Sequence, residues 1–139
     1  MTHDWNTFGT LEEGAQALFL LDIAERALPS LDGHPEEQAR ITAYVTTARA
    51  VLDGSTELHS ELMRFLDDPF MEEDFSIYFL ELEGDEAACA ALDLTSYACG
   101  FVARITAPAA GATALPDPVR ESVPGAAVYY RERGAFLGL

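Results

Sequence analysis

Apolar side chains recur three and four positions apart along most of this 139-residue chain, the spacing that gathers them on one face of an α-helix. The first such segment covers residues 10–28, and its stripe consists of Ala17, Leu20, Leu21, Ala24 and Leu28. Thr10 and Glu13 have the spacing of a capping box, which would satisfy backbone N–H groups at the start of the helix. Pro29 should end this helix, because proline cannot donate the next helical hydrogen bond.

Two further helices are predicted over residues 35–52 and 56–67. Pro35 suits the first position of the longer helix, where a missing N–H is no loss, and Gly54 is a good terminator. The buried stripe of the longer helix should consist of Ile41, Tyr44, Val45, Ala48 and Leu52. The shorter helix should end at Asp68-Pro69.

Residues 71–82 fit two kinds of structure. Phe75, Ile77 and Phe79 alternate with polar or smaller positions as in a β-strand. A helical stripe also fits the segment, through Met71, Phe75, Tyr78, Phe79 and Leu82. We favour the helix, because the neighbouring segments are helical and a single strand would have no partner.

Residues 85–106 form the most apolar predicted helix of the chain. Its surface is apolar except for a narrow polar strip, which consists of Glu86, Asp93, Ser96, Tyr97, Gly100 and Arg104. A helix of this composition belongs in the middle of a bundle, with Leu92 and Val102 in the core.

The helical spacing of apolar residues weakens after this helix. Prolines and a glycine within residues 107–118 predict a loop there. Asp117-Pro118 should begin a last short helix, which Pro124-Gly125 interrupts, and the tail should be helical only through Tyr130.

The chain shows no internal repeat and no domain boundary, so residues 1–139 should form one domain. The predicted fold is all-α, a single-domain bundle of five to six helices around the central apolar helix at about 85–106.

Composition limits the partners. The net charge is −16 and the chain has no lysine, which disfavours binding to nucleic acid or to anionic membranes. With 49% hydrophobic residues the chain is too apolar for intrinsic disorder. The sequence begins without the basic and apolar regions of a signal peptide, and no stretch approaches the roughly 20 apolar residues of a membrane span. We therefore expect a cytoplasmic protein.

The acidic residues concentrate in one stretch. Ten carboxylates lie between Asp67 and Asp93, and no Lys, Arg or His lies between Arg64 and Arg104. A surface of one sign attracts basic proteins.

Specific chemistry is not indicated. The histidines, His3, His34 and His59, fall in separate segments, and no metal-binding or nucleophile motif is present. We expect no metal, no cofactor and no catalytic residue, hence a protein that is not an enzyme. Cys89 and Cys99 lie ten residues apart on one predicted helix, about 15 Å, which is too far for a disulfide. They should be small buried thiols.

A docking surface is the strongest functional candidate. On a helical wheel, Ile77 and Leu80 fall opposite the buried stripe of residues 71–82, among carboxylates. The candidate partner-binding residues are Glu72, Glu73, Asp74, Ile77, Leu80, Glu81 and Glu83. The alternative is that Ile77 and Leu80 contact another helix of the bundle. Trp5 also has two alternative roles: it either pins the N-terminus to the bundle or stands exposed as an anchor for a partner.

Three features prompt a family resemblance: Trp5 ahead of the first helix, the Ala-rich helix Ala87 to Ala103 with Tyr97, and the turn Leu115-Pro116-Asp117-Pro118 before a short helix. With them the chain resembles the small all-α immunity proteins of bacterial polymorphic toxin systems. The resemblance implies tight binding to a cognate, basic toxin domain, in many cases a nuclease, and no catalytic residues.

The function expected is therefore an immunity or antitoxin-type protein that neutralises a basic toxin through its acidic surface. The runner-up is a small-molecule-binding or regulatory helical domain, which would show a deep apolar cavity lined by Tyr97 and Phe101. A carboxylate-based hydrolase is a third, weaker alternative. The oligomeric state is left open by the sequence.

Overall fold

The computed structural model describes residues 3–68 and 75–139, and within these ranges it is helical, with no strand. The α-helices are α1 (Trp5–Phe8), α2 (Glu13–Ala27), α3 (Pro35–Leu52), α4 (His59–Leu66), α5 (Phe75–Glu81), α6 (Glu86–Ala110), α7 (Asp117–Arg120) and α8 (Ala127–Phe136). Short 3₁₀ turns follow α2 and precede α4 and α8. The all-α prediction is confirmed, and the four-residue helices α1 and α7 bring the number above the five to six expected.

Helix α6 is the centre of the fold, because α2, α3, α4 and α8 all pack against it. Leu92 and Val102 are completely buried on α6, as predicted. By length and mean hydropathy α6 also meets the criteria of a membrane span, contrary to the expectation that no segment does. Since 78% of that apolar stretch is buried against other helices, its composition is that of a core helix.

Helix ends match the sequence prediction where proline or glycine marks them. Helix α3 has the predicted bounds, and Gly54 follows it with a φ of 116°, a conformation that favours glycine. Residues 75–81 are helical, which confirms the preferred interpretation of that segment. The part of it at positions 71–74, including Met71, lies outside the described residues.

The predicted capping box at the start of α2 is wrong. Helix α2 begins at Glu13, with Glu12 in extended conformation before it and no side-chain cap from Glu12. The Thr10 hydroxyl instead donates to the carbonyl of Thr7, 2.6 Å away. Glu13 accepts a hydrogen bond from Arg104 on α6 at 2.7 Å, so a local bond engages Thr10 and a tertiary bond engages Glu13 in place of the capping box.

The predicted start of the loop at residue 107 is also wrong, because α6 continues through Pro108 to Ala110. Proline removes the hydrogen bond to the carbonyl four residues earlier and its ring crowds that carbonyl, but in a last turn few helical bonds follow that could be disturbed. Gly111, with a φ of 72°, then ends the helix in a Schellman arrangement. The N–H of Ala112 donates to the Ala107 carbonyl at 3.0 Å.

The C-terminal tail does not fray after Tyr130, since α8 extends to Phe136. Gly134 in this part of α8 lies against Trp5, because a Cβ built there would make an ordinary van der Waals contact with the indole at 3.7 Å. Trp5 is half-buried, and its ring meets Phe19 edge-on at 5.0 Å between centroids. Of the two alternatives for Trp5, the structure therefore bears out pinning the N-terminus onto the bundle.

From Asp93 onward the polar strip of α6 faces the C-terminal segment, whereas Glu86 at its start is exposed. The Tyr97 hydroxyl donates to the Val123 carbonyl at 2.7 Å, and the Tyr97 ring stacks on Tyr130 at 4.1 Å. Asp93 on the same strip accepts a hydrogen bond from Arg133 Nε at 2.8 Å. The strip thus holds α7 and α8 against the core.

Gly100 sits where this segment comes closest to α6. A Cβ at this position would lie 2.2 Å from Ser122 Oγ and 3.1 Å from the Pro118 carbonyl. We expect Gly100→Ala to lower the free energy of unfolding by about 1–3 kcal/mol through overpacking.

Gly14→Ala is the matched control for this substitution, because it also lies in a helix but its Cβ would meet nothing within 4 Å. It should be neutral or slightly stabilising. Chemical denaturation measures the free energy of unfolding of both variants and so tests the prediction. Equal stability of the two would show that the C-terminal segment does not approach α6 this closely.

Candidate docking surface

Helix α5 presents one buried and one open face. Tyr78 and Leu82 are buried against the core, whereas the Leu80 side chain is 73% exposed. Ile77 is half-buried, and Glu81 and Glu83 are exposed. The alternative that Leu80 contacts another helix of the bundle is therefore wrong for Leu80, while Ile77 is partly enclosed. Glu72, Glu73 and Asp74 lie outside the described residues.

The first turn of α3 adds carboxylates that the sequence analysis missed. Burial and a hydrogen bond with Glu37 raise the pKa of Glu81, and the charge of Glu36 adds to this, whereas Arg40 opposes it. These three glutamates therefore lie close together, with Arg40 also near Glu81, and Glu81 directly follows Leu80 in the chain. Spacing along the chain gives no signal for this meeting, because the two helices are distant in sequence.

The acidic stretch is not one continuous surface. The Asp85 carboxylate caps α6, because it accepts the Ala88 N–H at 3.1 Å, and His34 Nε2 lies 2.9 Å from its other oxygen. Together these bonds lower the pKa of Asp85. Asp68 is buried and Asp93 is paired with Arg133, so at least three carboxylates of the stretch serve the fold.

We define the acidic docking surface as the described partner-binding candidates on and after α5, together with the two glutamates of α3 that approach Glu81. They are Glu36, Glu37, Ile77, Leu80, Glu81 and Glu83. An exposed leucine surrounded by like charges can bind a basic protein, because the charges speed encounter and the apolar side chain slows dissociation.

Both cysteines are free thiols, as predicted. Cys99 is fully buried on α6, and that burial raises the pKa of its thiol well above the usual range. Burial also raises the pKa of the partly buried Cys89, with a contribution from Asp93. A reactive cysteine needs a lowered pKa, so neither residue has the environment of a nucleophile.

Among the residues that the structure describes, no three His, Cys, Asp or Glu side chains come together as a metal site would require. We predict that thermal melts recorded with and without a chelator coincide. A large drop of the melting temperature in chelator would reveal a carboxylate site that stabilises the fold.

The small-molecule hypothesis requires a deep apolar cavity lined by Tyr97 and Phe101, but these two side chains are packed inside the core. Tyr97 and Phe101 are 1% and 0% exposed, and their rings contact each other within the core. A cavity beside α6 has a volume of about 140 Å³ and is lined in part by Asp93, Ser96 and Ser122. A larger depression of about 550 Å³ lies between α4 and the end of α6 and is lined in part by His59, Met63 and Ala110. Tyr97 and Phe101 line neither of them, so neither is the cavity that the small-molecule hypothesis requires.

Comparisons of the chain with protein-family models, with curated proteins and with solved structures found no significant match.

Proposed function

We propose that this protein is an immunity or antitoxin-type protein that binds and neutralises a cognate, basic toxin domain through its acidic docking surface. The observation that carries the proposal is Leu80, a large apolar side chain left 73% exposed next to Glu81, which itself approaches Glu37. A lone exposed leucine needs no explanation, but one set among clustered carboxylates has the composition of an interface centre with a charged rim.

The electrostatics of the free protein support this assignment. Burial raises the pKa of Glu81 most, and Glu37 and Glu36 raise it further whereas Arg40 lowers it, so the ionised form of Glu81 is disfavoured in the free protein. A cationic side chain from a partner would relieve that repulsion. The free protein thus holds like charges together at a cost that a basic partner would offset.

The mechanism we propose is occlusion of the toxin's active site. If the toxin is a nuclease, its catalytic groove binds phosphates through cationic side chains. The carboxylates of the acidic docking surface would take the place of those phosphates, and Leu80 would fill an apolar position between them. The protein itself then needs no catalytic residue.

The test uses the protein encoded beside this gene in its native genome. Its expression in a heterologous bacterium should arrest growth, and co-expression of this chain should restore growth. The two purified proteins should also form a complex. Growth arrest without rescue, together with no complex, would overturn the proposal.

A further inference from the structure

A polar cavity lies beside the middle of α6, and none of its lining residues belongs to the acidic docking surface. Its volume is about 140 Å³. Asp93 and Ser96 of α6 line it, together with Glu121 and Ser122, which directly follow α7. A cavity of about 150 Å³ can hold benzene, so this one has room for an organic molecule of similar size.

The two serine hydroxyls of the cavity have already used their protons. Ser96 donates to the Asp93 carbonyl at 2.9 Å, and Ser122 donates to the Pro118 carbonyl at 2.7 Å. Both serines are buried, so solvent hardly competes for these bonds. A hydroxyl has one proton and two lone pairs, so each serine now offers only an acceptor.

Asp93 adds a third acceptor. Arg133 Nε donates to Asp93 Oδ2 at 2.8 Å, whereas Oδ1 has no hydrogen-bond partner in the part of the chain that the structure describes. Asp93, Ser96 and Gly100 recur three and four residues apart, so they share one face of α6. Ser122 Oγ closely approaches Gly100 on that face. The three acceptors therefore meet at one side of the cavity.

The cavity also has an excess of negative charge. Burial raises the pKa of Asp93 although Arg133 lowers it, so its ionised form is only partly compensated. Glu121 is a second carboxylate, exposed where the cavity meets the solvent, and it has no ion pair within the described ranges. The two other arginines of this region already pair with other carboxylates, Arg104 with Glu13 and Arg120 with Asp117. One negative charge is thus left for a ligand to balance.

The opposite wall of the cavity is apolar and aromatic. Leu66 of α4 and Phe75 of α5 line it, and Tyr130 of α8 adds a phenol ring. Burial raises the pKa of Tyr130 to about 12, so its hydroxyl stays neutral. A short alkyl chain can pack against such a wall, and the face of an aromatic ring attracts a cation.

We propose that this cavity binds a small primary alkylammonium ion, which donates to Asp93 Oδ1 and to the hydroxyls of Ser96 and Ser122. A primary ammonium group has three N–H donors and no acceptor, which matches three acceptors and one unbalanced negative charge. An alcohol of the same length has a single donor, and a carboxylate has none and is repelled. Amine binding needs no toxin, so it does not rest on the proposed function.

Titration of the ¹⁵N-labelled full chain with butylammonium chloride, at neutral pH and constant ionic strength, tests the proposal. The backbone amide shifts should saturate, and they should centre on residues 93–96 and 118–122. Butanol and butyrate have the same chain length without the positive charge. They should bind more than about tenfold more weakly, because each loses charged hydrogen bonds.

Two variants remove the carboxylates that the ammonium ion needs. Asp93→Asn should weaken butylammonium binding more than about tenfold, because it removes a charged acceptor. Glu121→Gln should weaken it several-fold. Glu132→Gln is the matched control for Glu121→Gln, since it makes the same change at an exposed carboxylate outside the cavity, and it should bind like the wild type.

Circular dichroism checks that the variants fold, since Asp93→Asn also gives up the ion pair with Arg133. If Asp93→Asn unfolds, the comparison of Glu121→Gln with Glu132→Gln decides. Shifts that scatter over the acidic surface without saturating would show attraction to net charge only, and would overturn the proposal. Equal binding of butanol, or equal binding by Glu121→Gln and Glu132→Gln, would overturn it as well.

Discussion

Replacing Leu92 by alanine should lower the free energy of unfolding by about 2–5 kcal/mol, the range for large-to-small substitutions in a core. Leu92 is 0% exposed at the centre of α6, the helix on which most of the others pack. The substitution removes buried apolar contacts and leaves a cavity that the surrounding helices close only in part. No other single truncation is better placed to test whether α6 is the core.

Leu80→Ala is the matched control, because it makes the same chemical change at a leucine that is 73% exposed. It should change the free energy of unfolding by less than about 0.5 kcal/mol. Urea denaturation followed by circular dichroism measures both variants. Similar losses at Leu92 and Leu80 would contradict the placement of α6 in the core and of Leu80 on the surface.

Neutralising the acidic candidates should leave the fold intact or stabilise it slightly. The variant changes Glu72, Glu73, Asp74, Glu81 and Glu83 to the corresponding amides. Partial burial and Glu37 raise the pKa of Glu81, so the folded protein binds that proton more tightly than the unfolded chain does. Ionisation of Glu81 therefore disfavours the folded state, and this cost appears as the pH rises through its pKa.

The melting temperature of this variant at neutral pH should equal or exceed that of the wild type, and the gain should be larger at low salt, where screening is weak. The wild type alone should recover part of the difference on mild acidification, since protonation of Glu81 removes the same charge. A variant that unfolds would show that these carboxylates are structural, as Asp85 and Asp93 are.

The fold was predictable where its signals are local. Pro35 and Gly54 mark the ends of α3 in the sequence, and the structure has those ends because both residues act through their own backbone. Pro108 is also a strong local signal, but the loop start predicted from it was wrong. A proline in a last turn removes one hydrogen bond, and Ala107 is buried in that turn, so α6 continues past it.

The candidate site was predictable only in part. The exposure of Leu80 follows from helical periodicity, which places it opposite Tyr78 and Leu82. The approach of Glu37 to Glu81 depends on how α3 and α5 pack, and no pattern within either helix encodes that. The polar strip of α6 was recognised, but its partners, Val123 between α7 and α8 and Arg133 on α8, come from a segment whose helices are short and interrupted.

If growth rescue identifies the protein encoded beside this gene as the cognate toxin, its rates of binding to this chain test the central claim most directly. Neutralising the five carboxylates should slow association several-fold, and Leu80→Ala should instead speed dissociation. The charge-matched control neutralises five exposed carboxylates outside the acidic docking surface. It should associate with the toxin faster than the variant in which the five candidate carboxylates are neutralised. These five are Glu12, Asp53, Glu57, Glu61 and Glu132. If the first variant and Leu80→Ala both fold and bind at wild-type rates, the acidic docking surface is not where the toxin binds.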